Sequence, residues 1–159
     1  MLFILLGVSL LTVPAVSWFH GRPSPGNMTQ GYPWPLPKVY TITSERPRYI
    51  DPASFTFTAE TPGCDILDQA LVRYKKITFP KYQRPDVDPL PEMKGVHVYI
   101  SDGCPTEVPQ FGIDESYKLT TAPQSPKAYI SAKTVWGALR GIDTFSQMFY
   151  KDAQDKVRL

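Results

Sequence analysis

Asp114-Glu115 is the only adjacent Asp-Glu pair in the chain. Paired carboxylates are what glycoside hydrolysis needs, one as general acid and the other as base, nucleophile or stabiliser. Adjacent residues entering a strand point to opposite faces, however, and Ser116-Tyr117 follow at once, so the pair reads as a solvated turn. The two histidines are His20, in a Gly/Pro-rich stretch, and His97, facing outward on a strand with no Asp or Cys close by in sequence. A metal site or a catalytic base needs convergent partners, so neither is assigned such a role. No serine sits in a Gly-x-Ser-x-Gly elbow, and no Gly-rich loop opens a helix in a phosphate-binding pattern. The reading therefore assigns no catalytic, cofactor-binding or metal-ligating residue to this chain.

Cys64 and Cys104 are the two cysteines, and an even count in an oxidising compartment makes a disulfide the expectation. Closing a loop of about 41 residues would remove unfolded-chain entropy worth about 4 kcal/mol, an upper figure. The alternatives, a redox pair or metal ligands, are poorly served by this separation and by the lack of a Cys/His cluster.

The compartment is inferred from the first 17 residues. They hold no charged side chain, carry the run Leu2-Phe3-Ile4-Leu5-Leu6, and end in Ala15-Val16-Ser17, with small residues where a signal peptidase needs them. Cleavage is expected after Ser17, the alternative being an uncleaved N-terminal anchor. The stretch is short for a stable membrane span. Asn27-Met28-Thr29 is an N-glycosylation sequon in a Gly/Pro-rich segment. The 17 basic and 15 acidic residues are interspersed for a net charge of +2, which leaves no electrostatic footprint for nucleic acid and no polybasic membrane patch. The roughly 140 residues that remain suffice for one core.

Residues 18–37 read as an extended arm, because Pro23, Pro25, Pro33, Pro35 and Pro37 exclude regular helix; Trp34 is expected to pin its end. Short strands are expected at Lys38 to Thr43 and Phe55 to Thr58, as sheet edges or a hairpin. Thr61-Pro62 supplies a helix start, with Thr as N-cap and Pro at the first helical position. That helix should bury Leu67, Ala70, Leu71, Tyr74 and Ile77 on one face and end near Thr78. Lys81 to Lys94, with three prolines, reads as an exposed connection. Gly95 to Ile100 is the clearest strand, with Val96, Val98 and Ile100 on one face. Ser116 to Thr121 and Lys127 to Ser131 suggest an antiparallel hairpin. The last helix is expected from Thr134 to Tyr150, with Val135, Leu139, Ile142, Phe145 and Phe149 on its apolar stripe. Gly137 and Gly141 stand four apart on it at about 1 kcal/mol each against Ala, so another element should approach closely there. The sum is an α+β fold: a small, mostly antiparallel sheet covered on one face by two helices. The polar tail from 151 to 159 reads as the start of a linker.

Three stretches, Trp34-Pro35-Leu36-Pro37, Asp114-Glu115-Ser116-Tyr117 and the helical run from Val135-Trp136-Gly137-Ala138 through Arg140-Gly141 to Gln147, together resemble the N-terminal domain of eukaryotic β-N-acetylhexosaminidases, the family 20 glycoside hydrolases. The resemblance covers nearly the whole chain beyond the leader, with the domain proper at 38–150. It implies a zincin-like α+β domain without zinc, packed on a TIM barrel that removes terminal N-acetylglucosamine or N-acetylgalactosamine from glycoconjugates. A barrel takes about 250 residues, and this chain would stop before it. In the family an adjacent Asp and Glu on the barrel act with the substrate's own acetamido group; Asp114 and Glu115 do not match that setting. The resemblance also implies a disulfide at Cys64 and Cys104 and a lysosomal or extracellular location, with a dimer of the full-length form left open; Trp136, Gly137, Arg140 and Gly141 are the candidate packing residues, toward the sheet or toward the absent barrel. The competing reading is a freestanding secreted module that binds glycans or another partner.

Overall fold

The computed structural model describes residues 33–41, 47–60, 63–79, 90–106, 108–151 and 157–159. The leader, His20 and Asn27 lie outside them. The elements are β1 (Thr56–Ala59), α1 (Asp65–Thr78), β2 (Gly95–Ile100), β3 (Tyr117–Thr121), β4 (Lys127–Ala132), α2 (Val135–Ser146), β5 (Tyr150–Lys151) and β6 (Val157–Arg158).

Alternation in β2 works as read. Val96, Val98 and Ile100 are buried while His97 and Tyr99 turn to the other face, and in β4 Ala128, Ile130 and Ala132 join the buried side. Both helices pack on that side, so the α+β class and the single covered face hold. The pairing directions need correction. The sheet order is β1-β2-β4-β3, in which β1 with β2 and β2 with β4 are parallel and only the β3–β4 hairpin is antiparallel. The reason is α1, which carries the chain back across the sheet and so makes β1-α1-β2 a parallel crossover unit. Five phenylalanines close the core: Phe145 stacks edge-on to Phe149 at 4.9 Å, Phe55 lies 5.5 Å from Phe79 and 6.2 Å from Phe145, and Phe57 is 5.4 Å from Phe55.

Local boundaries also shift. Helix α1 has Cys64 as its N-cap, not Thr61. Gly63, at φ +74°, sits in the left-handed region that a continuous right-handed helix cannot include. Cys64 is joined to Cys104 with Cα atoms 5.3 Å apart, which ties the start of α1 to the exit of β2. Ile77, expected inside, is 56% exposed, because the turn that would bury it is the last before the chain leaves at Phe79. Helix α2 ends at Ser146, not Tyr150. Residues 38–41 form no strand, since none of the described strands takes up their ladder; 42 and 43 lie outside the described residues. Of the polar tail, the described residues are 151 and 157–159. β5 pairs antiparallel with β6, and Leu159 exchanges backbone bonds with Arg48 at 3.0 and 3.2 Å while its side chain packs on the core.

The close approach expected at the two glycines of α2 is to the sheet beneath. A Cβ at Gly137 would overlap the Ser116 carbonyl oxygen, and one at Gly141 would lie 2.6 Å from Ile130 Cγ2 and against the Tyr117 ring. Helix propensity favours alanine at both sites by about 1 kcal/mol; overpacking opposes it by about 1–3 kcal/mol. We predict that Gly141→Ala loses about 1–2 kcal/mol in urea unfolding, whereas a gain would show that the helix moves off the hairpin freely.

Candidate functional site

The carboxylates at the entry to β3 diverge. Asp114 Oδ1 accepts the Ser116 N–H at 2.8 Å, which closes a local turn, and the Asp114 carbonyl accepts the Thr134 hydroxyl at 2.5 Å. Thr134 also caps α2, accepting the Gly137 N–H at 3.2 Å, so one hydroxyl joins the helix start to the hairpin entry. Glu115 points the other way and takes a two-pronged contact from Arg140, Nε to Oε2 at 2.9 Å and Nη2 to Oε1 at 3.3 Å. Hydrogen bonding to Glu115 and then its charge raise the Arg140 pKa above the ordinary guanidinium value. Each carboxylate is committed to a structural partner, an arrangement that does not set the two groups across a glycosidic bond.

Trp136, Arg140, Asp143 and Gln147 follow at spacings of four, three and four and form a stripe along the outer side of α2. They meet α1 around a hollow of about 410 Å³ lined by Arg73, Tyr74, Glu115, Trp136, Leu139, Arg140 and Asp143. Leu139, expected on the apolar stripe, instead lines the hollow, and Ala138, which was not expected there, is fully buried. The Tyr74 hydroxyl donates to Asp143 Oδ1 at 3.2 Å, and burial, reinforced by that carboxylate, pushes the phenol up and keeps it a donor. Arg73 lies 5.3 Å over the Tyr74 ring. Gln147 donates to Asp143 Oδ2 at 3.2 Å and holds the backbone of Trp34 from both sides, accepting its N–H at 2.7 Å and donating to its carbonyl at 3.0 Å. The arm is therefore pinned at Trp34, through the backbone; the ring is 83% exposed. Trp136 Nε1 is buried without a hydrogen-bond partner among the described residues.

On the opposite side of the sheet, His97 Nδ1 is 3.0 Å from the Thr58 hydroxyl and Nε2 is 3.9 Å from Glu60. Thr58 comes from the neighbouring strand β1 and Glu60 from the residue just after it. Among the described residues no three of His, Cys, Asp and Glu gather as a metal site. Sequence reasoning missed Arg48, whose guanidinium donates to five carbonyls, Pro91, Glu92, Ala122, Pro123 and Ser125, at 2.9–3.2 Å. It clamps the approach to β2 onto the β3–β4 turn, and burial lowers its pKa below the ordinary guanidinium value. Carbonyl acceptors leave no mark in a side-chain pattern. The stripe on α2, by contrast, was readable from its spacing.

Hydrogen bonding from Ser116, side chain first and backbone second, holds the Asp114 carboxyl below its ordinary 3.8. Its contribution to stability is present above that value and is lost as pH falls through the lower folded-state value. We predict that stability falls less steeply below about pH 4 in Asp114→Asn than in the parent chain; parallel acid-unfolding curves would contradict the assignment.

The family model described as beta-acetyl hexosaminidase like matches residues 33–148. The chain is 32% identical over 140 residues to β-hexosaminidase subunit alpha of Bos taurus, covering 81% of this chain and 25% of that protein. It is 34% identical over 129 residues to subunit beta of Sus scrofa, covering 76% and 24%, and 31% identical over 150 residues to β-hexosaminidase A of Caenorhabditis elegans, covering 89% and 25%. Among solved structures, the chitobiase of Flavobacterium johnsoniae shares the fold at a TM-score of 0.53 and 17% identity, over 74% of this chain and 18% of that one. The chain spans about a quarter of the length of the curated relatives it matches. With the sheet, the two helices and the α2 motif all inside the matched span, the chain belongs to the beta-acetyl hexosaminidase-like family, as an N-terminal domain of the family 20 glycoside hydrolases.

Proposed function

We propose that this chain is the non-catalytic N-terminal domain of a β-N-acetylhexosaminidase that removes terminal N-acetylglucosamine or N-acetylgalactosamine from glycoconjugates. The hydrolysis takes place in a TIM barrel beyond this chain by substrate-assisted retaining catalysis: the acetamido group attacks, an Asp orients it and a Glu protonates the leaving oxygen. No catalytic residue is assigned here and none of the chain's groups is asked to hold a cofactor. The observation that carries the reading is the family match over 33–148, joined to the commitment of Glu115 to Arg140 and of Asp114 to its own turn.

The domain's role in this reading is support. Trp136, Leu139 and Arg140 offer the barrel an outward surface around the hollow, while Gly137 and Gly141 serve it indirectly by seating α2 on the sheet. Large aromatic and Arg side chains around a partly desolvated hollow are the usual anchors of a docking surface. The leader at 1–17 directs the protein into the secretory pathway, to the lysosome or outside the cell, with Asn27 as a glycan acceptor. No described helix is long and apolar enough to cross a membrane.

An assay on a chromogenic N-acetyl-β-glucosaminide tests this. The 159-residue chain should show no turnover, the product of the full reading frame should be active, and Asp114→Asn in that product should retain activity. Turnover by the chain alone, or a loss of more than about a hundredfold in Asp114→Asn, would overturn the assignment; a stop codon soon after Leu159 would favour a freestanding module.

A further inference from the structure

The helices cover one side of the sheet, and the other side has a composition of its own. The ladder places Thr58, His97, Tyr129 and Thr120 in one row across all four strands, and Tyr99, Ser131 and Lys118 in the next. Lys127 stands one step earlier on β4, opposite Gly95. No Val, Ile, Leu or Met projects from these positions. A sheet face that is to be covered by protein carries aliphatic side chains, as the buried side of this same sheet does.

What the open face offers is two tyrosine rings at 45% and 49% exposure, Tyr99 and Tyr129, on adjacent strands. The Tyr129 ring is set by an edge contact with His97 at 6.3 Å, and His97 is itself held by Thr58. Around the rings, Thr120, Ser131, Lys118 and Lys127 present hydrogen-bonding groups from the same rows of the ladder and the one beside them. Lys118 and Lys127 stand on β3 and β4, whereas Glu60 lies beside His97 at the β1 edge.

We propose that this face is a binding surface for an acidic glycan. A pyranose lays its C–H face on a tyrosine ring, its hydroxyls reach the serine and threonine hydroxyls, and a carboxylate or sulfate on it meets Lys118 or Lys127. The amphipathic ring with a polar tip suits such a ligand, and the lysines supply the charge complementarity that selects an acidic sugar over a neutral one. The surface lies across the sheet from the helical stripe and does not depend on the hydrolase reading.

Amide shifts of the ¹⁵N-labelled 159-residue chain, titrated with 3′-sialyllactose, N-acetylglucosamine 6-sulfate, lactose and N-acetylglucosamine, test it. At least one acidic sugar should perturb Tyr99, Tyr129 and Lys118 with a Kd on the order of 1 mM, weakened by added salt; which acid binds tells carboxylate from sulfate. Tyr99→Thr should weaken binding at least about fivefold, and Lys118→Gln, a change that leaves the strand's backbone bonds intact, should erase the preference for acid. Equal binding of the neutral sugars, shifts confined to the helical side, or no shifts at about 10 mM probe would overturn the proposal. So would self-association of the chain abolished by Tyr99→Thr, which would mark the face as an interface between copies.

Discussion

The structure depends on how closely the backbone of α2 lies on the β3–β4 hairpin. Two missing side chains, at Gly137 and Gly141, let the helix descend until it meets the Ser116 carbonyl, Ile130 and the Tyr117 ring. At that depth the polar groups along the seam find each other. Thr134 joins the helix cap to Asp114, and the Tyr117 hydroxyl meets the buried Thr144 hydroxyl at 2.6 Å. Glu115 rises over the edge to Arg140. The helix loses propensity at both glycines and recovers it in packing, as expected when tertiary contact outweighs local preference. One turn further on, Phe145 enters the phenylalanine cluster that locks α1 and β1 to the same seam.

Much of this was legible in the residues. The alternation in Gly95–Ile100 located β2 to the residue, the hairpin followed from two short alternating runs around a Pro-rich turn, and Gly137 with Gly141 announced a close approach. Alternation says which face is buried and is silent about direction, so the parallel placement of β1 and β2 was out of reach without knowing where α1 crosses. Thr61-Pro62 looked like a helix start by residue type, yet Gly63 in the left-handed region and the cystine at Cys64 set the start later. Met93, fully buried, sits in what reads as a charged connection. Arg48 and Leu159 were invisible for a similar reason, because they act through main-chain groups that every residue carries.

The candidate chemistry was legible chiefly as an exclusion. Asp114-Glu115 has the composition of a hydrolytic pair, and strand geometry alone separates the two carboxylates; the structure gives each a separate task at the seam. The family match is the context of the proposed reading, in which the outward stripe of α2, with Trp136 and Arg140 beside the hollow, is the docking side and the tyrosine-bearing face of the sheet is left toward solvent.

The central claim of the proposed reading is that the helical side of this domain is covered by the rest of the protein, which carries the hydrolysis. Hydroxyl-radical footprinting of Tyr74, Trp136 and Leu139, compared between the 159-residue chain and the product of the full reading frame, tests it most directly. The account predicts that all three are oxidised several-fold more slowly in the longer protein while Tyr99 and Tyr129 are unchanged. Equal oxidation of the three in both proteins would contradict it.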